Sequence, residues 1–453
     1  MQQSSLSRRK FLQLSALTVG GAALAACVPA GSPAAPAASG GGDTAAAPAG
    51  EKVTITNGQT WEAAFQATQA KFDKEFMERH PDITVENVYN TWSDHNTVVP
   101  TWAAAGTLPD LIYVHGSRAF PWAFEGITVN IQDKVDADNA FNVKGIWEES
   151  LRLYRFKGNL HGIPYDHGPI ILGYNKDIFD AAGVAYPTDD WTMDTLRETA
   201  KALTKLDGDQ PLWGWGGNYP ALGNTESDNA IGPWGQKLLN DEESELLIDT
   251  DETRAALQFW TDMIHVDKSG PTPAEAQGFQ QGAWTAGRVA MVPVASWDTP
   301  TYAAFTNFKW DVVGWPKGTQ KSSSSFGSGF SITRDSKHID QSWTFLSEYL
   351  STDGMIEMWG SSGRGSPARK DAYQSWIDSD IAPDNAKAFL EALDTYAVTG
   401  RPYQTLAAGE LGDIINRNMT LLRSGEGKVD EVVATIVKEG NEVLKAATER
   451  MKG

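Results

Sequence analysis

The chemistry most evident in this chain belongs to its 17 tryptophans. Several sit among glycines and prolines: Trp213-Gly214-Trp215-Gly216-Gly217, Gly232-Pro233-Trp234, Ser296-Trp297-Asp298 and Gly314-Trp315-Pro316. Indole is large, rigid and partly polar. Its face suits the flat C–H face of a sugar ring, whose hydroxyl rim then needs charged or amide hydrogen-bond partners. Loops of this composition end strands and carry binding residues. Trp61 follows the first β-rich run and Trp92 the second, so each reads equally as a cleft ring or a core ring, and Trp215 and Trp234 are similar. Trp260, Trp343 and Trp376 lie at helical core spacing and read as packing. Among polar groups, Asp166 and His167 follow Pro164-Tyr165. A carboxylate there can accept two hydroxyl hydrogen bonds and orient a ring, or it can serve a hinge.

Catalysis finds little support in the same residues. With 58 acidic residues, carboxylate pairs arise by chance and decide nothing about glycoside hydrolysis. The sequence has no nucleophile elbow, no complete phosphate loop and no H-E-x-x-H. Gly425-Glu426-Gly427-Lys428 lacks the spacing and the following Ser/Thr of a phosphate loop and reads as a helix–helix turn. His161 and His167 are the one close histidine pair and lack metal-ligand spacing, so no metal and no cofactor is expected. A net charge of -20 leaves no basic surface to displace phosphate counterions, which argues against nucleic acid as a partner.

The elements that must position these residues follow an N-terminal segment of a different kind. Ser7-Arg8-Arg9-Lys10-Phe11-Leu12 sets two arginines before an apolar stretch that reaches Leu24. That stretch is too short for a permanent membrane anchor, so residues 1–26 read as a removable export signal. Its start resembles twin-arginine signals, and Leu24-Ala25-Ala26-Cys27 resembles a bacterial lipobox, whose cysteine is lipidated and becomes the mature N-terminus. Cys27 is the sole cysteine, and acylation accounts for it better than a disulfide does. Residues 27–50 are dominated by Ala, Gly, Pro, Ser and Thr and read as a lipidated, flexible tether. No later stretch is apolar enough to span a bilayer, so the chain is expected to be held on the extracytoplasmic side of a cell membrane by its lipid.

The chain, 453 residues at 41% hydrophobic content, is long enough to bury a large core in two lobes. Lys52-Val53-Thr54-Ile55-Thr56 reads as a strand, Phe65 to Phe76 as an amphipathic helix, Ile83 to Val88 as an alternating strand, and Pro109 to Val114 as another. This β-α-β alternation predicts an α/β fold with a mainly parallel sheet. Helical segments are expected to dominate from Asp190 to Val266 and from Asp384 onward.

A family resemblance runs through Leu160-His161-Gly162-Ile163-Pro164-Tyr165, Tyr174-Asn175-Lys176-Asp177-Ile178-Phe179, Ala182-Gly183-Val184, Pro187, Trp191-Thr192 and Ala200-Lys201-Ala202-Leu203-Thr204. It continues in Phe279-Gln280-Gln281-Gly282, Gly287-Arg288-Val289-Ala290-Met291, Trp297, Phe326 to Ile332, Trp343 to Leu346, and Gly363 to Arg369. In this order the blocks resemble the family-1 extracellular solute-binding proteins of ABC importers, which include maltose- and oligosaccharide-binding members. The resemblance implies a two-lobe periplasmic-binding-protein-like fold with a ligand cleft. The N-terminal lobe would be 51–166 with 328–374, and the C-terminal lobe 167–327 with 375–453. Crossings would fall near Pro164 to Gly168, Phe326 to Phe330 and Arg369 to Trp376. It also implies that Trp297 stacks on a sugar, with Ser328, Arg364 and Glu410 as further cleft candidates. Asp110 matches a "P-D" before a strand and reads as a turn partner. Maltose-binding members carry a glutamate where this chain has Gly168, so the identity of the sugar does not transfer.

The expected function is capture of a neutral sugar or oligosaccharide and delivery to an ABC permease, by a monomer that performs no chemistry. The alternatives are a carrier for another solute, such as a glycerol phosphodiester or polyamine, and a secreted glycoside hydrolase. For a phosphorylated solute, Arg364 and Arg369 are the only basic groups at hand near the cleft.

Overall fold

The computed structural model describes residues 52–208, 210–217, 219–223, 226–279, 282–305, 307–399 and 404–452. The export signal, Cys27 and the tether lie outside them. The strands, in chain order, are β1 (Val53–Gln59), β2 (Ile83–Tyr89), β3 (Leu111–His115), the β4–β5 hairpin (Arg155–Phe156 and Asn159–Leu160), β6 (Ile163–Pro164), β7 (Gly168–Asn175), β8 (Trp213–Trp215), β9 (Val289–Ala295), β10 (Trp310–Val313), β11 (Ser323–Phe326), β12 (Ser328–Ile332) and β13 (Ala397–Thr399).

These form two principal sheets. The first runs β2-β1-β3-β12-β6, and the second runs β13-β11-β7-β9-β8 with β10 also on β7. The β-α-β start is as the hydrophobic pattern predicts. A helix over Gln66–Arg79 buries Phe72 and Phe76, and β1 pairs in parallel with β2 and β3. The expectation of a mainly parallel sheet fails. In the second sheet β7 runs antiparallel to β9, β10 and β11, and in the first β12 runs antiparallel to β3 and β6. The cause is connectivity: β6 passes into β7 through three residues, and β11 into β12 through Gly327 alone, links that change sheets without the helical crossover a parallel neighbour would require.

The helical expectation for Asp190 to Val266 holds at its two ends, over Met193–Leu203 and Asp251–His265. Between them lie β8 and largely irregular chain. Trp213 and Trp215 belong to that strand rather than to a loop, because Gly214 lets it approach helix 193–203 closely: a Cβ there would stand 1.9 Å from the Ala200 carbonyl oxygen. Near the C-terminus, Ala408–Ser424 and Val429–Lys452 are helices packed on one another through Leu411, Ile415, Val433 and Ile436. Gly425, at φ +79°, ends the first of them, which makes the Gly425 to Lys428 segment the helix–helix turn read from sequence. Among the described residues no helix is long and apolar enough to cross a membrane.

Candidate functional site

The two links between the sheets meet at a cavity of about 320 Å³ lined by Glu62, Trp92, Tyr113, His115, Tyr165, Asp166, Trp297, Phe326, Gly327, Ser328 and Arg364. Glu62, Trp92, His115, Trp297 and Phe326 stand at or just beyond the carboxyl ends of β1, β2, β3, β9 and β11, where ligands of α/β sheets bind. Its size lies at the small end of the usual range for ligand pockets. Two other hollows, of about 340 and 380 Å³, contain none of the candidate ligand-binding residues chosen from sequence.

Trp92 opens the helix Trp92–Ala105, held there by Thr91, whose side chain accepts the Asp94 N–H. The indole is 55% exposed yet fixed in direction: its Nε1–H donates to Tyr113 Oη at 3.2 Å, and Tyr113 Oη shares a 2.8 Å hydrogen bond with Ser328 Oγ. A broad apolar face is thus presented to solvent by an oriented ring. Trp297 lies in the turn Ser296–Asp298 that follows β9. Asp298 fixes that turn by accepting the Ala295 N–H at 2.9 Å.

Asp166 is buried in the link from β6 to β7, and its carboxylate accepts the N–H of Ser328, the first residue of β12 after the other link. Burial pushes its pKa up to about 7, against the opposing pull of that hydrogen bond and of the Arg364 charge. His115 is pushed down to about 4, by burial first and then by Arg118, so it stands neutral. Arg364 reaches the cavity from the turn after Ile356–Gly360 and is gripped by Glu62: Nε–Oε2 is 2.9 Å and Nη2–Oε1 is 3.2 Å. The Arg364 guanidinium also lies 5.7 Å from the Trp61 ring and 5.9 Å from that of Phe65.

Of the residues selected from sequence, the fold brings Trp92, Asp166, Trp297, Ser328 and Arg364 to this cavity. Trp61 stands beside it, buried against Phe65 and Trp359, and reaches an adjoining open hollow of about 650 Å³ that shares Glu62 and Trp92. His167 points away into buried surroundings near Trp147. Trp215 is 2% exposed and packs with Tyr219, Trp260 and Trp315. Trp234 packs on Phe259, and Glu410 is exposed in the first turn of helix 408–424. Arg369 is buried and donates to the Phe141 carbonyl at 2.7 Å and to that of Asn142, so it braces the chain rather than lining the cavity. Asp110 joins strands, accepting Thr56 N–H and Oγ1–H at 2.9 Å and Ser336 Oγ–H at 2.7 Å.

The lining residues that sequence reasoning passed over are Glu62, Tyr113, His115, Tyr165, Phe326 and Gly327. Glu62 and His115 could have been found from strand ends alone, since each follows a readable strand. Gly168 also has its reason here: a Cβ would lie 2.6 Å from Ser296 Oγ and 3.1 Å from Ser366 Oγ, so any side chain at this position must displace those hydroxyls. Among the described residues no group of three or more His, Cys, Asp or Glu side chains could hold a metal ion.

Residues 71–389 match the family described as bacterial extracellular solute-binding protein. The lactose-binding protein of Rhizobium radiobacter is 26% identical over 307 residues, covering 65% of this chain and 69% of that protein. The arabinooligosaccharide-binding protein of Bacillus subtilis is 23% identical over 319 residues, 67% of this chain and 70% of that one. An ABC substrate-binding protein from Listeria monocytogenes, solved in complex with cycloalternan, superposes with a TM-score of 0.78 at 24% identity, over 87% of this chain and 99% of that chain. The GacH receptor of Streptomyces glaucescens, solved unliganded and with acarbose, gives 0.73 at 22% identity over 86% and 98%. The structural likeness establishes a shared fold, and the family match takes in well over half of the 453 residues. This chain therefore belongs to the bacterial extracellular solute-binding protein family.

Proposed function

We propose that this protein is the substrate-binding component of an ABC importer, which captures a neutral sugar or oligosaccharide in the cavity between the sheets and delivers it to the permease with no bond broken. One observation carries the reading. Trp92 and Trp297, from different sheets, line one cavity together with the hydrogen-bonding groups of Asp166 and Ser328. Flat apolar faces beside directional polar groups are what a ring with C–H faces and a hydroxyl rim requires. The printed functions of the lactose- and arabinooligosaccharide-binding relatives support the same class.

In this reading the lobes are 51–166 with 328–374 and 167–327 with 375–453, and they close about the short sheet-changing links as a hinge. Closure sequesters the ligand and creates the surface that the permease recognises. In the same reading the twin-arginine-like signal directs export, and a monomer lipidated at Cys27 is held on its tether at the extracytoplasmic side of a cell membrane, at the cell surface or in the periplasm. None of this requires catalysis.

The test is a thermal-shift screen of the mature protein against neutral mono- and oligosaccharides, polyamines and glycerol phosphodiesters, since a ligand that binds only the folded state raises the unfolding midpoint. A shift with a saccharide is expected. A shift with a polyamine or phosphodiester alone, or turnover of any glycoside, overturns the reading.

A further inference from the structure

We propose that Glu62 is a specificity residue that closes this cavity to anions: by occupying the Arg364 fork it keeps out carboxylated and phosphorylated guests that the cavity would otherwise accept. The inference rests on the reading above only for the nature of the normal guest.

Arg364 is the one guanidinium or ammonium among the described residues that line the cavity, and His115 beside it is neutral because burial holds its pKa near 4. A guanidinium offers two parallel donors to a carboxylate or phosphate and is the natural receptor for either. Both of the donors that face Glu62 are already spent on its two oxygens, at 2.9 and 3.2 Å. The guanidinium carbon lies 5.7 Å from the Trp61 ring centroid and 5.9 Å from that of Phe65.

The geometry of access is one-sided. The Arg364 side chain is 11% exposed and that of Glu62 is 58% exposed, so a guest arriving from solvent meets the carboxylate before the guanidinium. An anion must displace Glu62, leave that charge without its partner, and then sit near the second carboxyl of the cavity, Asp166. A neutral ring meets none of these penalties. Like charges brought together in a partly desolvated site are the usual means of rejecting a wrong partner. The pairing therefore selects by exclusion, while Trp92 and Trp297 select by attraction.

The experiment compares wild type, Glu62→Gln and Glu62→Gln with Arg364→Gln, each titrated with inorganic phosphate, glucuronate and glucose, and read by tryptophan fluorescence and unfolding midpoint. Glu62→Gln keeps the side-chain volume and one acceptor at an exposed position, so the fold is retained. It is expected to gain at least about tenfold in affinity for phosphate and for glucuronate, below what one unscreened charge pair near a protein surface supplies. The double variant should lose that gain. Phosphate has no sugar ring, so its titration reads the Arg364 fork whether or not the protein takes sugars, and the neutral sugars test the wider reading separately. The proposal is overturned if Glu62→Gln binds phosphate and glucuronate no better than wild type, or if the double variant keeps the gain.

Discussion

The rings of Trp297 and Phe326 pack with centroids 4.6 Å apart and planes inclined by 43°. This contact ties the turn after β9 to the residue where β11 leaves the second sheet. Phe326 is buried and Trp297 only partly so, so the indole is held by protein and still has surface open to the cavity it lines. Trp297→Ala is expected to weaken saccharide binding by about 2 kcal/mol, roughly thirtyfold. Trp297→Phe should recover part of the loss, because an aromatic face remains. Calorimetric titration with the saccharide of largest thermal shift measures both, and equal affinity for wild type and Trp297→Ala would remove the ring from the site.

Asp166 gives a dependence on pH whose sign can be worked out. Its pKa is about 7 in the folded protein and about 3.9 unfolded. Between those values the native state holds a proton that the unfolded state has lost, so this group's contribution to stability falls as pH rises through that window. Asp166→Asn carries no such proton. The stability of wild type relative to the variant should therefore fall by on the order of 2–4 kcal/mol from about pH 4 to pH 7. Urea unfolding of both proteins across this range tests it. Parallel curves would show that the carboxyl titrates at its ordinary value. Asp73, Asp298 and the buried histidines are common to both proteins and cancel in the difference.

Much of this site could be read before the fold was seen, and the reason is local. Trp92 and Trp297 directly follow strands whose patterns are plain, and a residue just past a strand's carboxyl end is already near the cavity. Asp166 sits on one of the links that change sheets and Ser328 begins β12 just after the other, where the resemblance had put crossings. Trp234 does lie in a turn, Gly232–Trp234, but one that packs on Phe259, whereas Trp215 misled because glycine in its neighbourhood was taken for loop. At Gly214 it instead permits a strand to touch helix 193–203, a contact 14 residues away in sequence that composition does not encode. Glu62 was passed over beside the more conspicuous Trp61. Its part depends on Arg364, 302 residues distant, and no single-chain pattern reports that pairing. The mixed sheets were missed for the same cause, since strand direction is set by which link joins which sheet.

The N-terminal reading makes its own prediction. If Cys27 is the lipidation site, Cys27→Ser should move the protein from the membrane fraction to the soluble extracytoplasmic fraction while leaving ligand affinity unchanged. Replacing Arg8 and Arg9 together by lysine should leave unprocessed precursor inside the cell if export uses the twin-arginine route. Fractionation followed by mass measurement of the mature N-terminus decides both points. A mature protein that begins elsewhere than Cys27 would refute the anchor.

Gly327 separates backbone fit from side-chain fit at the hinge. It joins β11 to β12, and its carbonyl accepts the Gly116 N–H at 3.1 Å. A Cβ at Gly327 would stand 1.9 Å from the Asp166 carbonyl oxygen and 2.8 Å from its carbonyl carbon. The obstacle is backbone, so no rotamer change relieves it, and the two links must move apart. Gly327→Ala is expected to cost about 3 kcal/mol in stability, the upper range for overpacking. It should weaken ligand binding too, because Asp166 and Ser328 ride on the displaced links. Gly168→Ala is the matched control. Its Cβ meets the hydroxyls of Ser296 and Ser366, which can rotate away, so it should cost about 1 kcal/mol. Denaturant unfolding of both variants gives the ranking. Were Gly168→Ala as damaging as Gly327→Ala, the hydroxyl pair Ser296–Ser366, at 2.6 Å, would hold the hinge as firmly as the crossed backbones do.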